Sequence, residues 1–563
     1  MATFQKKVSH GQTYWYIVES VRVNGKPRPK VLAYLGKADE FLRKFINGES
    51  KKYKIKSYAH GANYVYWKLL EKLNVIPILD KYLCKGKKLR RNGLTPGQTL
   101  ALVILQRAIE PDSKRAFQLW AKTTTLPKQL NFLAPQCDSQ HFWDNMDLLA
   151  VEDIPKIEKE ILEQVFLHYP VSLRTVCYDI TNFFTFISST NPKAPVAQRG
   201  KNKQHRADLR QFNLALCVSQ DFNVPLFSQV YEGNQNDVSV FIKHISLLRE
   251  RLTDLSQNVE EITLVFDKGN NSKKGFQLLD DPNCQYKYVA SLSVYHDPIL
   301  KEVPDDQFQT LKIDEETLQI HRSRQSIWNA SRSVVMYISS KLREGQIRGI
   351  ENLLPKIREK MDCLNQQLSR SPEKRLRKYQ ELKTEKAIQC FAEGLANEQF
   401  IREIVDIQVI KENTQWQVRH QCNPQKYDEL KKKILGKRIL ITNQHDWTTE
   451  EIIKTYRDQD HVEKANRHLK NPFHHAVRPQ YHWTDQKIRV HAALCILSFL
   501  ISTLLQKTAA EKGIHLSIDT MIEKLNSVRK AVMVTTEKKG KPSVKTQFEE
   551  MEEDVEKLFF ALQ

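Results

Sequence analysis

Nine cysteines are scattered through the 563 residues, with no Cys-x-x-Cys pair and no regular spacing. That absence argues against a structural zinc site or a disulfide frame and for reduced thiols in a cytosolic setting. No basic-then-apolar leader opens the sequence. The longest apolar run, VHAALCILSFLISTLL at residues 490–505, is short for a membrane span and follows closely on Lys487 and Arg489. A buried helix in a soluble, intracellular protein is the expectation, with no membrane partner. Internal repeats and long low-complexity tracts are also missing, which leaves ordinary globular domains. Acidic residues are the scarcer charge, 66 Asp+Glu against 87 Lys+Arg, a net +21. Such a charge is costly to keep compact unless a polyanion is a regular partner, and nucleic acid is the commonest one. With 40% hydrophobic residues the chain can build proper cores, and its length suits roughly three to four domains.

Along the chain, residues 1–50 suggest a small β-rich module, since residues 14–36 alternate like strands and break at Asn24-Gly25, a hairpin signal. Residues 51–168 turn helical, with Thr95 as N-cap, Pro96 in the first turn and the basic run KGKKLRR just before; a helical DNA-binding domain fits. From 169 to 292 the texture is α/β. RTVCYDIT (174–181) reads as a buried strand ending in an acid, residues 211–219 and 224–233 as two more strands, and Asp237 as the cap of a helix. ITLVFDKG (262–269) is another strand ending in an acid, and YKYVASL (286–292) a fifth. This order of three strands, helix, strand, helix, strand is that of an RNase H-like core, with Asp179 and Asp267 at the ends of neighbouring central strands. Residues 293–436 read as a mixed β/helical insertion domain. Residues 437–515 read as the second part of the core, where KRILITN precedes a helix capped by Thr448 or Thr449, and 516–563 as a charged tail. The fold class expected is multidomain α/β.

Within the late helix, the stretch YRDQDHVEKANRHLK places Tyr456, Gln459, Glu463, Arg467 and Lys470 on one face at the 3.6-residue period, with Val462, Ala465 and Leu469 opposite. Phosphodiester hydrolysis at neutral pH needs an activated water and a neutralised leaving oxygen. Two Mg²⁺ ions roughly 3.5–4 Å apart supply both, and hard cations call for carboxylates. Asp179, Asp267 and Glu463 are the three acids in suitable settings, two at strand ends and one on a helix packed across them. Arg467 and Lys470, one and two turns beyond Glu463, would then meet DNA phosphates. A second basic stretch, residues 193–210, carries Arg199, Lys201, Lys203, Arg206 and Arg210 between the first two core strands and is a candidate for DNA-backbone contact. The histidines at 461, 468, 474, 475 and 482 match no standard metal spacing. Trp120, Trp143 and Trp483 are expected in the core.

Asp179 in YDITNFF, Asp267 in FDKG and Tyr456-x2-Gln459-x3-Glu463-x6-Lys470 together resemble the DDE transposases of bacterial insertion sequences marked by a Y-x2-R-x3-E-x6-K signature and an insertion domain. EGNQND (232–237), residues 478–495 and the N-terminal hairpin extend the resemblance over most of the chain. It implies DNA transposition in the bacterial cytosol, at the nucleoid. Asp179, Asp267 and Glu463 would hold two Mg²⁺, with Mn²⁺ substituting. Tyr456 and Lys470 would grip DNA near the scissile phosphate, and transposon ends and target DNA would be the partners of a dimer in the synaptic complex. Gln459 departs from the signature: an amide can still bond a phosphate oxygen but lacks the charged fork of Arg. Two other readings stand beside this one, a two-metal nuclease or resolvase of the same fold and a non-catalytic DNA-binding protein derived from a transposase.

Overall fold

The computed structural model describes residues 2–563 apart from 24–25, 47–52, 203, 205, 256–260, 282–285, 297–301, 413–414, 479 and 536–542. The chain is multidomain α/β. At its start, β1 (Ala2–Ser9), β2 (Gln12–Val23) and β3 (Lys26–Gly36) form an antiparallel sheet; the Asn24-Gly25 turn lies outside the described residues. Next, β4 (Tyr53–Ala59) leads into a helical region. There Thr95 caps the helix Pro96–Ile109, as the sequence predicts, and a reciprocal capping box with Gln98 completes the cap.

The central sheet has nine strands. In chain order these are β5 (Thr175–Thr185), β6 (Arg210–Ser219), β7 (Pro225–Glu232), β8 (Thr263–Phe266), β9 (Lys287–Leu292), β10 (Gln309–Ile313), β11 (Glu316–Ile327) and β12 (Ala330–Ile338). After a hairpin of β13 (Val405–Glu412) and β14 (Gln415–Cys422), the ninth member is β15 (Lys437–Thr442). Their order in space is β10-β11-β12-β15-β9-β8-β5-β6-β7. The pairs β5–β8 and β8–β9 are parallel, while β5–β6, β6–β7, β9–β15 and β12–β15 are antiparallel. Every residue of β6 is buried, as expected of a strand covered on both faces.

Residues 490–505 fall in the helix Asp485–Glu511, whose most apolar stretch is 94% buried inside the protein. This helix packs on the helices Pro96–Ile109 and Gly61–Lys72 and on β7, so it is a core element.

Three sequence expectations change. The strands between 309 and 338 do not build a separate insertion module; β12 pairs with β15, which extends the central sheet. A second hydrophobic core, from Ile350 to Leu435, gathers around the helix Ser340–Leu368 and the β13–β14 hairpin. The presumed tail is folded as well. β16 (Arg529–Thr535) pairs with β4 and with β17 (Ser543–Phe548), and the helices Ile518–Ser527 and Glu553–Leu562 bury apolar faces. Finally, Trp120 is buried, but Trp483 is 49% exposed.

Candidate functional site

Parallel pairing sets the site. Tyr178 on β5 is in register with Phe266 on β8, the last residue of that strand. The next residues are Asp179 and Asp267, so the two acids emerge side by side where β8 stops. β5 itself runs on to Thr185 against β6, which places Asp179 mid-strand rather than at the strand end read from sequence.

The late helix is two helices. Thr448 caps Thr449–Arg457 through a capping box with Glu451; the chain breaks at Asp458, and Gln459–Lys470 follows. The second piece packs across β5 and β6 with Val462, Ala465 and Leu469 fully buried, as its period requires. Glu463 and Arg467 lie on its exposed side, and Lys470 is half-buried with its ammonium 5.6 Å from the Phe183 ring centre.

Asp179, Asp267, Glu463, Arg467 and Lys470 line one cavity of about 840 Å³, with Lys201 reaching it from the β5–β6 connection. A second cavity of about 670 Å³ shares Asp267, Gln459 and Glu463 and is lined by Lys268, Arg402, Lys437 and Arg438. The acids therefore sit where two cavities of mixed charge meet, with Asp237 also lining the larger one and Glu403 and Asp460 the smaller.

Around them, neutral donors hold the carboxylates. Asn466 Nδ2 donates to Asp179 Oδ2 (2.9 Å). Ser291 Oγ donates to Asp267 Oδ1 (2.5 Å) and accepts from the Lys268 amide (3.0 Å), and the Tyr456 hydroxyl donates to the same carboxylate oxygen (3.2 Å). Burial raises the Asp267 pKa, but these donors, the Lys268 amide and the Lys268 charge outweigh it and hold the carboxyl below the ordinary aspartate range. Above Tyr456, the Arg438 guanidinium lies 5.3 Å from the ring centre. Burial opposes its charge, yet Tyr337, Tyr456 and Asp267 together keep it firmly protonated.

Several residues expected on DNA have other work in this fold. Tyr456 is buried and bonded to Asp267. Gln459, 5% exposed, gives its Nε2 to the Tyr178 carbonyl (3.1 Å) and pins the helix start to β5. Arg210 is 9% exposed, and its guanidinium donates to the carbonyls of Ala197 (2.5 Å), Ser188 (3.2 Å), Asn191 (2.9 Å) and Ala194 (2.7 Å); it ties down the 188–198 loop and is not a phosphate contact. Arg206 pairs with Asp208 (2.7 Å) on the surface, Arg199 is exposed, and Lys203 lies outside the described residues. Arg457 lines the smaller cavity and is bonded there to Glu316 (2.7 Å). Lys201 is placed by its backbone. Gln211 Nε2 bonds both its carbonyl (3.2 Å) and that of Gly233 (2.9 Å), and Gly200 approaches Gly233 so closely that a Cβ would fall 2.0 Å from the Gly233 oxygen.

Sequence reasoning missed Ser291, Asn466 and Arg438. Asn466 was within reach, three residues after Glu463 on one helix. Arg438 was hidden inside a strand read as apolar.

Among the described residues, no three His, Cys, Asp or Glu side chains converge into a ready metal cage. The donor set still suits a hard cation. Besides the carboxylates, the side-chain oxygens of Gln459 and Asn466 are buried without a hydrogen-bond donor, and both residues line the larger cavity.

Residues 2–63 match a family model described as the IS1634 family transposase N-terminal domain. This supports the reading of the chain as an insertion-sequence transposase. No curated protein matches. Among solved structures, the chain is similar to one described as the cryo-EM structure of a piggyBac transposase synaptic complex with hairpin DNA, at 8% identity and a TM-score of 0.37, over 82% of this chain and 79% of that one.

Proposed function

We propose that the chain is a DDE transposase of an insertion sequence, acting at the bacterial nucleoid as a dimer on DNA. It binds the element's terminal inverted repeats and catalyses metal-dependent strand cleavage and transfer. One observation carries the proposal: Asp179 and Asp267 follow in-register residues of the parallel strands β5 and β8 side by side, and a helix packed across β5 and β6 brings Glu463 to the same cavity as Lys201, Arg467 and Lys470. The order β9-β8-β5-β6-β7, with two parallel and two antiparallel pairings, supports an RNase H-like core.

In this reading Asp179, Asp267 and Glu463 hold two Mg²⁺, or Mn²⁺ in their place. Bound there, the ions would make a water nucleophilic and neutralise the leaving oxygen. The chain's own groups do the rest. Lys201, Arg467 and Lys470 meet phosphates along the larger cavity. Tyr456 and Ser291 keep Asp267 ionised and oriented, Asn466 orients Asp179, and Arg438 fixes the Tyr456 ring. Tyr456 and Gln459 thus act as positioning residues.

The test is Mg²⁺-dependent nicking of a labelled duplex carrying the element's own terminus, for wild type beside Glu463→Gln, with binding measured in parallel. Loss of nicking by at least about 100-fold, with binding kept within about threefold, is expected of a carboxylate removed from such a site. Equal nicking by both proteins would remove Glu463 from the chemistry. Tight binding with no nicking by either would favour a non-catalytic DNA-binding protein derived from a transposase.

A further inference from the structure

Away from the carboxylates, a groove of about 1020 Å³ opens between the sheet formed by β4, β16 and β17 and the helical segment 117–136. It shares no lining residue with either cavity at the acids. Its floor is aromatic, with Tyr58, His60, Tyr64 and Phe132, and its walls carry Lys68, Lys122, Lys128 and Lys530. None of its lining residues is an Asp or a Glu.

Strand register extends this charge beyond the groove. On β16, Lys530 lies opposite Tyr58, Val532 opposite Lys56, and Val534 opposite Lys54. Cross-strand partners, and residues two apart on a strand, share a face. Because Tyr58, Lys530 and Val532 line the groove, Lys54 and Lys56 stand on the same face, and both are exposed. The result is a line of cations running out of an aromatic pocket.

The fittings of the groove are those of a site for a planar anion. Lys68 is partly engaged by Glu71 (2.8 Å), whereas Lys122 and Lys128 are exposed and show no ion pair among the described residues. His60 shares a hydrogen bond with Thr125 Oγ1 (2.8 Å), and burial, then the Lys530 charge, bring its imidazole down to a pKa of about 4. At neutral pH it is an uncharged ring. Leu133 adds an apolar side chain at the edge, 62% exposed. An acidic peptide would satisfy the lysines, but its charged side chains carry no aromatic face to lay on the rings. A nucleic-acid strand supplies both, repeated phosphates and flat bases.

We infer that this groove is a second nucleic-acid-binding surface, taking an unpaired stretch of DNA with its phosphates on the lysines and a base against the Tyr58 and Tyr64 rings. It rests on the reading of the chain as a DNA transposase, and it assigns that protein a strand-binding site remote from its carboxylates.

The experiment uses the full chain and a fluorescent oligothymidylate, read by anisotropy across a salt series, for wild type, Lys122→Glu/Lys128→Glu and Lys122→Gln/Lys128→Gln. Both lysines are exposed, so the variants should keep the wild-type melting temperature. The glutamate pair should weaken binding about tenfold or more at low salt. The glutamine pair should flatten the dependence of log K on log[salt] by about 1.4, the value for two phosphate contacts to a single strand. Binding and salt slope equal to wild type in both variants would overturn the inference. So would complete displacement of the probe by a polyglutamate peptide at equal charge, which would mark an acidic-peptide site. Nicking of the element's terminus is read separately. Groove-dependent binding without nicking keeps the groove and removes the catalytic reading; nicking with variant-insensitive oligonucleotide binding does the reverse.

Discussion

At the scale of single residues, the site depends on side chains whose type hides their use. Tyr456, Gln459 and Arg210 have the letters of DNA contacts, yet each is buried and bonded inward. Tyr456 acts on Asp267 through its hydroxyl. Asp267 has its folded pKa below the ordinary value, so the stability it brings is present above that value and is lost as pH falls through the folded one. Arg210 is the clearest case to test. Its guanidinium serves four loop carbonyls, and Arg210→Met would leave those acceptors buried without their donor. A loss of roughly 3–5 kcal/mol in urea denaturation is expected. The salt slope of DNA binding by the remaining folded protein should stay as in wild type. A lowered slope with unchanged stability would restore Arg210 to the phosphate contacts.

At the scale of elements, helical period was a good guide within a helix and a poor one across the break. Glu463, Arg467 and Lys470 share Gln459–Lys470, and their common face was legible in the letters. Tyr456 belongs to the helix before it, and the break at Asp458 left no mark because TYRDQDHVE contains no Gly or Pro. The cause is tertiary. Asp458 is half-buried, its carbonyl accepts from Cys177 Sγ (3.0 Å), and burial raises its carboxyl to about 6 while a bond to Gln220 pulls the other way. For an acid shifted upward, the sign is opposite to that of Asp267: the charged form costs stability, and the cost grows as pH rises from 3.8 through about 6. Asp458→Asn should therefore raise the melting temperature at pH 7.5 and leave it nearly unchanged at pH 3.5. An equal gain at both pH values would point to packing rather than charge. The strands β5 to β9 were legible because each is a compact apolar run. The joining of β12 to β15 was not, since that pairing links residues about a hundred positions apart and no local period encodes it.

At the scale of the whole molecule, the chain closes on itself. β16 pairs with β4, and the amides of His60 and Gly61 both donate to the Val528 carbonyl at 3.0 Å. Gly61 is required there, because a Cβ would come within 2.4 Å of the Leu525 oxygen and 2.5 Å of Val528 Cβ. Ile518, Met521, Ile522, Leu525, Val528, Val555, Leu558, Phe559 and Leu562 are all buried in the core shared with the helical region. At roughly 1.5–3 kcal/mol per buried side chain, their removal costs as much as or more than the about 5–15 kcal/mol by which a domain is usually stable. The second core, from Ile350 to Leu435, is a separate cluster. Ending the chain at Ser517 should therefore uncouple the two. In limited proteolysis mapped by mass, residues 61–168 should become cleavable while 340–435 stay protected, whereas the full chain protects both. Continued protection of 61–168 in the shortened protein would mean that the helical region folds without its C-terminal cover, and residues 518–562 would then be an appendage resting on a finished domain.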